Sequence, residues 1–266
     1  MQITKDIKTL VDIAFREDLG TTGDITTKST IDSETEITTH FVSRETGIIS
    51  GIPLSRYCLE KQDSSLTITE HLSDGDKVIP QDKIMSVTGK AQSILQAERI
   101  ALNFMTHLSG IATETSKYVD AVSHTKAKIL DTRKTLPGYR TLQKYAVKMG
   151  GGHNHRMGLH DMVLIKDNHI AAAGGIAPAL EKVKTVNPGV KIEIEVDTLE
   201  QLQEVMAYEN IVDFVLLDNM PPAQLKEALQ IIEGKILSEA SGGVNMDTVV
   251  GIAESGVDYI SIGALT

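Results

Sequence analysis

From Lys128 onward the chain repeats one pattern: a short apolar run, a charged or glycine-containing corner, then an amphipathic helix. The runs are KIL (128–130), MVLI (162–165), KIEIEV (191–196), FVLL (214–217), ILSEA (236–240) and YISIG (259–263). Helical patterns at 139–149, 176–186, 198–209, 221–232 and 245–255 separate most of them. Strands this apolar, alternating with helices, are buried on both faces, and that restricts the fold to a parallel sheet, open or closed into a barrel. The six runs are fewer than a complete barrel needs. The Gly-rich stretch 150–155 is where one more would hide.

The first part of the chain reads differently. Residues 1–20 form a short helical pattern with Val11, Ile13, Ala14 and Leu19 as its apolar face. Between 35 and 90 come β-rich runs, TEITTHFVS, GIIS, SLTITEHL, KVI and KIMSVTGKA, divided by turn signals at Ser73–Asp76 and Pro80–Asp82. They predict a mostly antiparallel sheet of four or five strands. Residues 93–110 are a helix by spacing, with Gly110 suited to the position just past its end. Arg99 lies off the apolar stripe of that helix, and pattern alone reads it as solvated. The change of period places a boundary between 1–111 and 112–266.

Composition matters mainly for what it excludes. Cys58 is the single cysteine, which removes an internal disulfide framework and a cysteine-based zinc cluster, and its mid-chain place suits a buried structural thiol. The amino terminus has no apolar signal region, and no run approaches a membrane span, so a cytoplasmic protein is expected. The net charge of −10 argues against general nucleic-acid binding. Its distribution says more. Residues 126–166 hold nine Lys and Arg against Asp131 and Asp161, a balance of +7, which leaves −17 for the rest. Basic side chains concentrated in an acidic protein suit a small, highly charged anion.

The polar residues of the second part gather at the carboxyl ends of its strands. KIL runs into Asp131-Thr132-Arg133-Lys134, and MVLI into Lys166, with Asn168 and His169 soon after. KIEIEV carries Glu195, FVLL ends at Asp218-Asn219, ILSEA leads into Ser241-Gly242-Gly243, and YISIG ends at Ile262-Gly263. Strand ends converge on one face of a β/α barrel, and that face carries the chemistry. Glycine turns and a helix amino terminus on the last two strands supply backbone N–H groups for phosphate. Glu195 and Asp218 offer hard oxygens for Mg²⁺, or salt bridges to Lys134 or Lys166. His153, Asn154 and His155 lack a third Cys or His at ligand spacing, so hydrogen bonding to an anion fits them better than zinc.

The stretch DTRKTLPGYRTLQKYAVKMGGGHNHRMGLHDMVLIKDNH (131–169) closely resembles the signature of the quinolinate phosphoribosyltransferase family. So do EDLGTTGDITT (17–27), ERIALNFMTHLSGIAT (98–113), EIEVDT (193–198), LLDN (216–219), EASGGV (239–244) and GVDYISIGALT (256–266). The resemblance spans nearly the whole chain. It implies an α/β protein: an incomplete (β/α) barrel of six or seven units with an amino-terminal α/β sandwich domain. It further implies at least a homodimer with shared active sites, and a short segment beyond Thr266 that returns to the first domain.

By the same resemblance, Arg133, His155, Arg156 and Lys166, with Arg99 from a neighbouring subunit, hold the two quinolinate carboxylates. Lys134, Glu195, Asp218, Ser241, Gly242, Gly243 and Gly263 face phosphoribosyl pyrophosphate and its Mg²⁺, with Thr132, Ser261 and Ile262 lining the same site. Lys134, Lys166, Glu195 and Asp218 are the implied catalytic set, and Glu195 and Asp218 the implied metal ligands. The implied reaction yields nicotinate mononucleotide, pyrophosphate and CO₂, a step of NAD biosynthesis. A relative acting on nicotinate, a molybdenum-transport-associated relative and a non-catalytic binding protein are the rival readings. The full set of cations favours the dicarboxylate.

Overall fold

The computed structural model describes residues 1–186 and 189–266. The chain divides into two compact units, 1–114 with 141–151 and 115–140 with 152–266.

The first unit begins with α1 (Lys5–Leu19), whose Ile7 N–H is capped by the Thr4 hydroxyl at 3.4 Å. Its buried residues are Ile7 and Val11, one helical turn apart. Ile13 is 45% exposed, so the apolar face expected from Val11 and Ile13 is corrected to Ile7 and Val11: residues two apart point to different sides of a helix. Asp24 caps α2 (Ile25–Thr30). There follow β1 (Glu36–Val42), β2 (Gly47–Ile48), α3 (Ile52–Gln62), β3 (Thr67–Glu70), β4 (Lys77–Val78), β5 (Lys83–Lys90) and α4 (Ala91–Ala121).

The five expected strands exist, but as two sheets. One has the order β1-β5-β3 and the other pairs β2 with β4, antiparallel throughout. In chain order α3 lies between β2 and β3, in a stretch that the β-rich pattern of 35–90 reads as strand. Pro53 starts it, Asp74 Oδ1 accepts the Ile52 N–H at 2.9 Å, and Leu54, Cys58 and Leu59 are its buried face. Cys58 is a structural thiol as expected, with burial pushing it up to about 12 against the pull of Lys61.

Helix α4 also differs. It is 31 residues long and runs through Gly110 rather than stopping there. The glycine costs about 1 kcal/mol in helix propensity, but the buried Leu108, Ile111 and Ala112 around it hold the helix in place.

The second unit contains β6 (Lys128–Leu130), β7 (Val163–Ile165), α6 (Asp167–Ala173), α7 (Ile176–Val186), β8 (Ile192–Val196), α8 (Leu199–Met206), β9 (Phe214–Asp218), α9 (Pro222–Ile232), β10 (Leu237–Ser241), α10 (Val249–Ala253) and β11 (Tyr259–Ser261). Helix α5 (Arg140–Met149) lies, from Thr141 on, in the first unit. All strand pairs are parallel, in the order β6-β11-β10-β9-β8-β7. The first strand therefore pairs with the last as in a barrel, while β6 and β7 remain the two edges of the sheet. The other side of β6 makes a single parallel bridge, Leu130 to His153. The expected seventh strand in 150–155 is reduced to that contact.

Register and side-chain alternation sort the strand residues into two faces. Glu195 pairs with Leu216 and Leu216 with Glu239, so these three share a face, with Glu193 two residues before Glu195. Ser241 pairs with Asp218 on the same face, nearer the carboxyl end. Ile192, Ile194 and Val196 take the opposite face, where all are buried.

Candidate active site

Two loops build the basic side of the site. The Asp131 carboxylate is fully buried; it accepts the His155 N–H at 2.9 Å and bonds the Asn154 amide. The loop after β6 is thereby tied to residues 153–157. The Thr132 hydroxyl accepts the Lys134 N–H at 3.0 Å, turning the chain. Arg140 completes the brace: its guanidinium donates to Thr135 Oγ1 at 3.1 Å, the Met157 carbonyl at 3.1 Å and the Arg133 carbonyl at 3.5 Å.

Within this brace stand Arg133 and Arg156. Arg156 donates to the Met162 carbonyl at 3.2 Å. Burial and then the charge of Arg133 hold it below the ordinary arginine value. Arg133 Nε is buried and has no hydrogen-bond partner among the described residues. Two mutually repelling guanidiniums, one with an unsatisfied buried donor, are suited to an anion.

The opposite side carries acids. Lys166, at the end of β7, pairs with Glu195 on β8, and its N–H donates to His169 Nδ1 at 2.9 Å. The Asp218 carboxyl is pushed up by burial, then by Glu195 and Asp197, against the pull of Lys166 and Lys134. With Lys166 committed to Glu195, this rim holds acid in excess and suits a divalent cation in contact with a phosphorylated ligand.

The glycine corners close the rim. Asn219, at φ 55°, donates from its amide to Asp218 Oδ2 at 2.7 Å and from its N–H to the Ser241 carbonyl at 2.8 Å. Gly242 follows at φ 89°, and a Cβ there would fall 2.1 Å from Asn219 Oδ1. One part of the expectation fails: α10 begins only at Val249 and has five residues. No helix amino terminus follows the Ser-Gly-Gly turn directly, because residues 244–248 intervene; its backbone N–H groups must serve alone. At the last strand, Lys134 lies along Gly263, whose Cβ would meet Lys134 Cδ at 2.9 Å. Ser261 and Ile262 are 4% and 1% exposed, below the rim, and the Ile262 N–H is spent on the Leu130 carbonyl at 2.9 Å.

Arg133, Lys134, Lys166, Glu195, Asp218, Ser241, Gly242, Gly243 and Gly263 thus all lie at or just past carboxyl ends of strands of one sheet, and Arg156 lies on the loop that follows the His153 bridge. Arg99 belongs to α4 in the first unit, where it is exposed.

His155 is buried among carboxylates. Its side chain is 8% exposed, with Nε2 at 2.9 Å from Glu193 Oε2 and 3.4 Å from Glu239 Oε2. Its Nδ1 accepts the Arg156 N–H at 2.7 Å. Both ring nitrogens face protein. Burial pulls the imidazole down and the two carboxylates pull it further up, to about 10, which requires a protonated Nδ1. The Arg156 N–H aimed into Nδ1 excludes that proton while the bond holds, and this geometry decides between the two. Burial raises the Glu193 carboxyl, and Glu239 raises it further, to about 7.

Glu193 and Glu239 lay unassigned within the EIEVDT and EASGGV motifs. A charge inside an otherwise apolar strand was the signal that marked them.

A parallel β/α sheet that pairs its first strand with its last and stays open between β6 and β7, with arginines on one side of its carboxyl rim and acids with glycine corners on the other, defines a barrel-type transferase for highly anionic substrates. The comparisons with known proteins give the particular kind. Quinolinate phosphoribosyl transferase, C-terminal domain, matches residues 111–266, and its N-terminal domain matches 24–109. The mitochondrial quinolinate phosphoribosyltransferase (decarboxylating) 2 of Nicotiana glauca is 44% identical, over 99% of this chain and 79% of its own. Nicotinate-nucleotide pyrophosphorylase (carboxylating) of Mycobacterium leprae is 44% identical over 95% of this chain and 90% of its own. The solved structure of the nicotinate-nucleotide pyrophosphorylase from Francisella tularensis superposes with a TM-score of 0.94 at 42% identity, covering 100% of this chain and 95% of that one. The chain belongs to the quinolinate phosphoribosyltransferase family.

Proposed function

We propose that the protein transfers the phosphoribosyl group of phosphoribosyl pyrophosphate to quinolinate and decarboxylates the adduct. The observation that carries this reading is the Arg133–Arg156 pair with its unsatisfied buried Nε. Two guanidiniums match two carboxylates, each in bidentate reach, where a monocarboxylate would leave one unpaired.

The Arg133 and Arg156 side chains orient the pyridine ring so that its nitrogen meets the ribose C1 as the bond to pyrophosphate breaks. Lys134, beside Gly263, and the backbone N–H groups of Ser241, Gly242 and Gly243 hold the phosphates. Glu195 and Asp218 would hold Mg²⁺, which when bound spreads the charge of the departing pyrophosphate. The new N–C bond leaves the ring nitrogen positive. That charge stabilises the electron pair left on the adjacent ring carbon when its carboxylate departs as CO₂, and a proton from water then bonds to that carbon. Lys166 neutralises charge between the Glu195 side and the substrate, and Thr132, Ser261 and Ile262 shape the floor.

The same reading includes a homodimer in which Arg99 of a second copy completes each site, supported by the exposure of Arg99 on α4. It also includes the domain boundary at 111/112 and a cytoplasmic address. Among the described residues no helix is long and apolar enough to cross a membrane.

The test is product analysis with quinolinate, phosphoribosyl pyrophosphate and Mg²⁺. Nicotinate mononucleotide and CO₂ in equal amounts, both abolished by EDTA, are expected. Product from nicotinate without CO₂ would keep the transferase and overturn the substrate.

A further inference from the structure

The cluster of His155, Glu193 and Glu239 is unusual for its burial. The two glutamates come from β8 and β10, strands that flank β9 without pairing with each other. Their side chains are 1% and 2% exposed. Both Glu193 oxygens and Glu239 Oε1 lack an aligned hydrogen bond among the described residues. Buried carboxylates left this way are costly, and leucines would fill the same interior face without that cost. A fold that keeps both is using them.

One use is metal binding, since the three ligand atoms lie within 4.8 Å of one another. The hydrogen bonds argue against it. Nδ1 accepts the Arg156 N–H, so the proton of a neutral ring sits on Nε2, the nitrogen a metal would need. What the carboxylates do approach is that nitrogen, Glu193 Oε2 at 2.9 Å and Glu239 Oε2 at 3.4 Å. From there the chain of contacts is short: carboxylates to Nε2–H, Nδ1 to the Arg156 N–H, and Arg156 to its place beside Arg133. Asp131 holds the same loop from the other side through the His155 N–H.

We propose that Glu193 and Glu239 are positioning residues for the substrate-gripping arginine: they fix the His155 ring so that Nδ1 anchors the Arg156 backbone. The inference rests on the reading of Arg133 and Arg156 as the carboxylate grip. It confines the effect to one substrate, because the phosphate-facing Lys134, Gly242 and Gly263 lie on other strand-end loops than Arg156.

The experiment is steady-state kinetics on Glu193→Leu, Glu193→Gln, His155→Asn and the double variant Glu193→Leu/His155→Asn. Glu193→Leu is expected to raise the KM for quinolinate about tenfold, a shift of about 1.4 kcal/mol, with the KM for phosphoribosyl pyrophosphate unchanged within twofold. Glu193→Gln, which keeps a polar oxygen beside Nε2, is expected to recover most of that loss. In the His155→Asn background, Glu193→Leu is expected to add nothing, since residues acting through one another are not additive. Equal rises in both KM values, or additive losses in the double variant, would overturn the proposal.

Imidazole ¹⁵N spectra of the wild type, assigned with His155→Asn, test the geometry without any turnover. The Nε2–H tautomer supports it; displacement of that proton by stoichiometric Zn²⁺ would overturn it in favour of a metal site. If quinolinate proved not to be the substrate, the spectra would still report the ring, and the two failures stay distinct.

Discussion

Gly242→Ala is the most informative single change at the rim, because Gly243→Ala next to it is a built-in control. Both positions have left-handed backbones, φ 89° and 63°. An alanine at 243 meets nothing within 4 Å and costs only the conformational strain, about 1–2 kcal/mol. An alanine at 242 pays a similar strain and also collides with Asn219, its Cβ falling 2.1 Å from Oδ1, 2.5 Å from Cγ and 3.0 Å from the backbone N. The side chain cannot swing away without releasing Asp218, to which it bonds at 2.7 Å. The backbone N is pinned to the Ser241 carbonyl at 2.8 Å. Overpacking of this kind adds about 1–3 kcal/mol. At about 2–4 °C per kcal/mol for a chain of this size, Gly242→Ala should melt roughly 2–12 °C below Gly243→Ala. Displaced Asn219 carries Asp218 with it, so the KM for phosphoribosyl pyrophosphate should also rise more for Gly242→Ala, as read by initial rates at saturating quinolinate. Equal melting temperatures and equal KM values for the two variants would refute the argument.

Lys166→Ala removes the cation from Glu195 and should lower kcat/KM by about 2–5 kcal/mol, roughly thirty- to several-thousand-fold, with near-normal turnover sinking its assignment. Arg133→Ala should fall in the same range, and its loss should appear chiefly against quinolinate concentration. Gly263→Ala meets only the flexible Lys134 side chain, so calorimetry should find the fold little changed while activity drops. Asp258 accepts the Ser238 N–H at 2.9 Å and hydroxyl at 2.8 Å and the Lys126 ammonium at 2.6 Å. Burial pushes its carboxyl up, but these bonds outweigh it and hold the group below its ordinary value. A lowered folded value means stability present above the unfolded value, about 3.9, and lost as pH falls through the folded one. Urea melts should show Asp258→Asn weaker than wild type by about 1–3 kcal/mol at pH 7, with the gap closing below pH 4.

What was legible in the sequence follows from how each feature is encoded. The six parallel strands were readable because burial on both faces leaves an uninterrupted apolar run, and Arg133, Lys166, Glu195, Asp218 and Gly263 because each ends one. Position on a strand is local information, and barrel geometry turns it into proximity. Helix α3 was passed over because its Leu54, Cys58 and Leu59 face is short and lies between runs of strand residues. The division of the first unit's strands into two sheets depended on pairings between distant segments. The stop expected at Gly110 failed because tertiary packing of Leu108, Ile111 and Ala112 outweighs one glycine's propensity. The His155 cluster was decided only by the fold. The chain alone determined that His155 stands in a basic loop and that Glu193 and Glu239 interrupt apolar strands. Which nitrogen meets which oxygen depended on three separate segments reaching one buried point, where exclusion of water makes the contact matter.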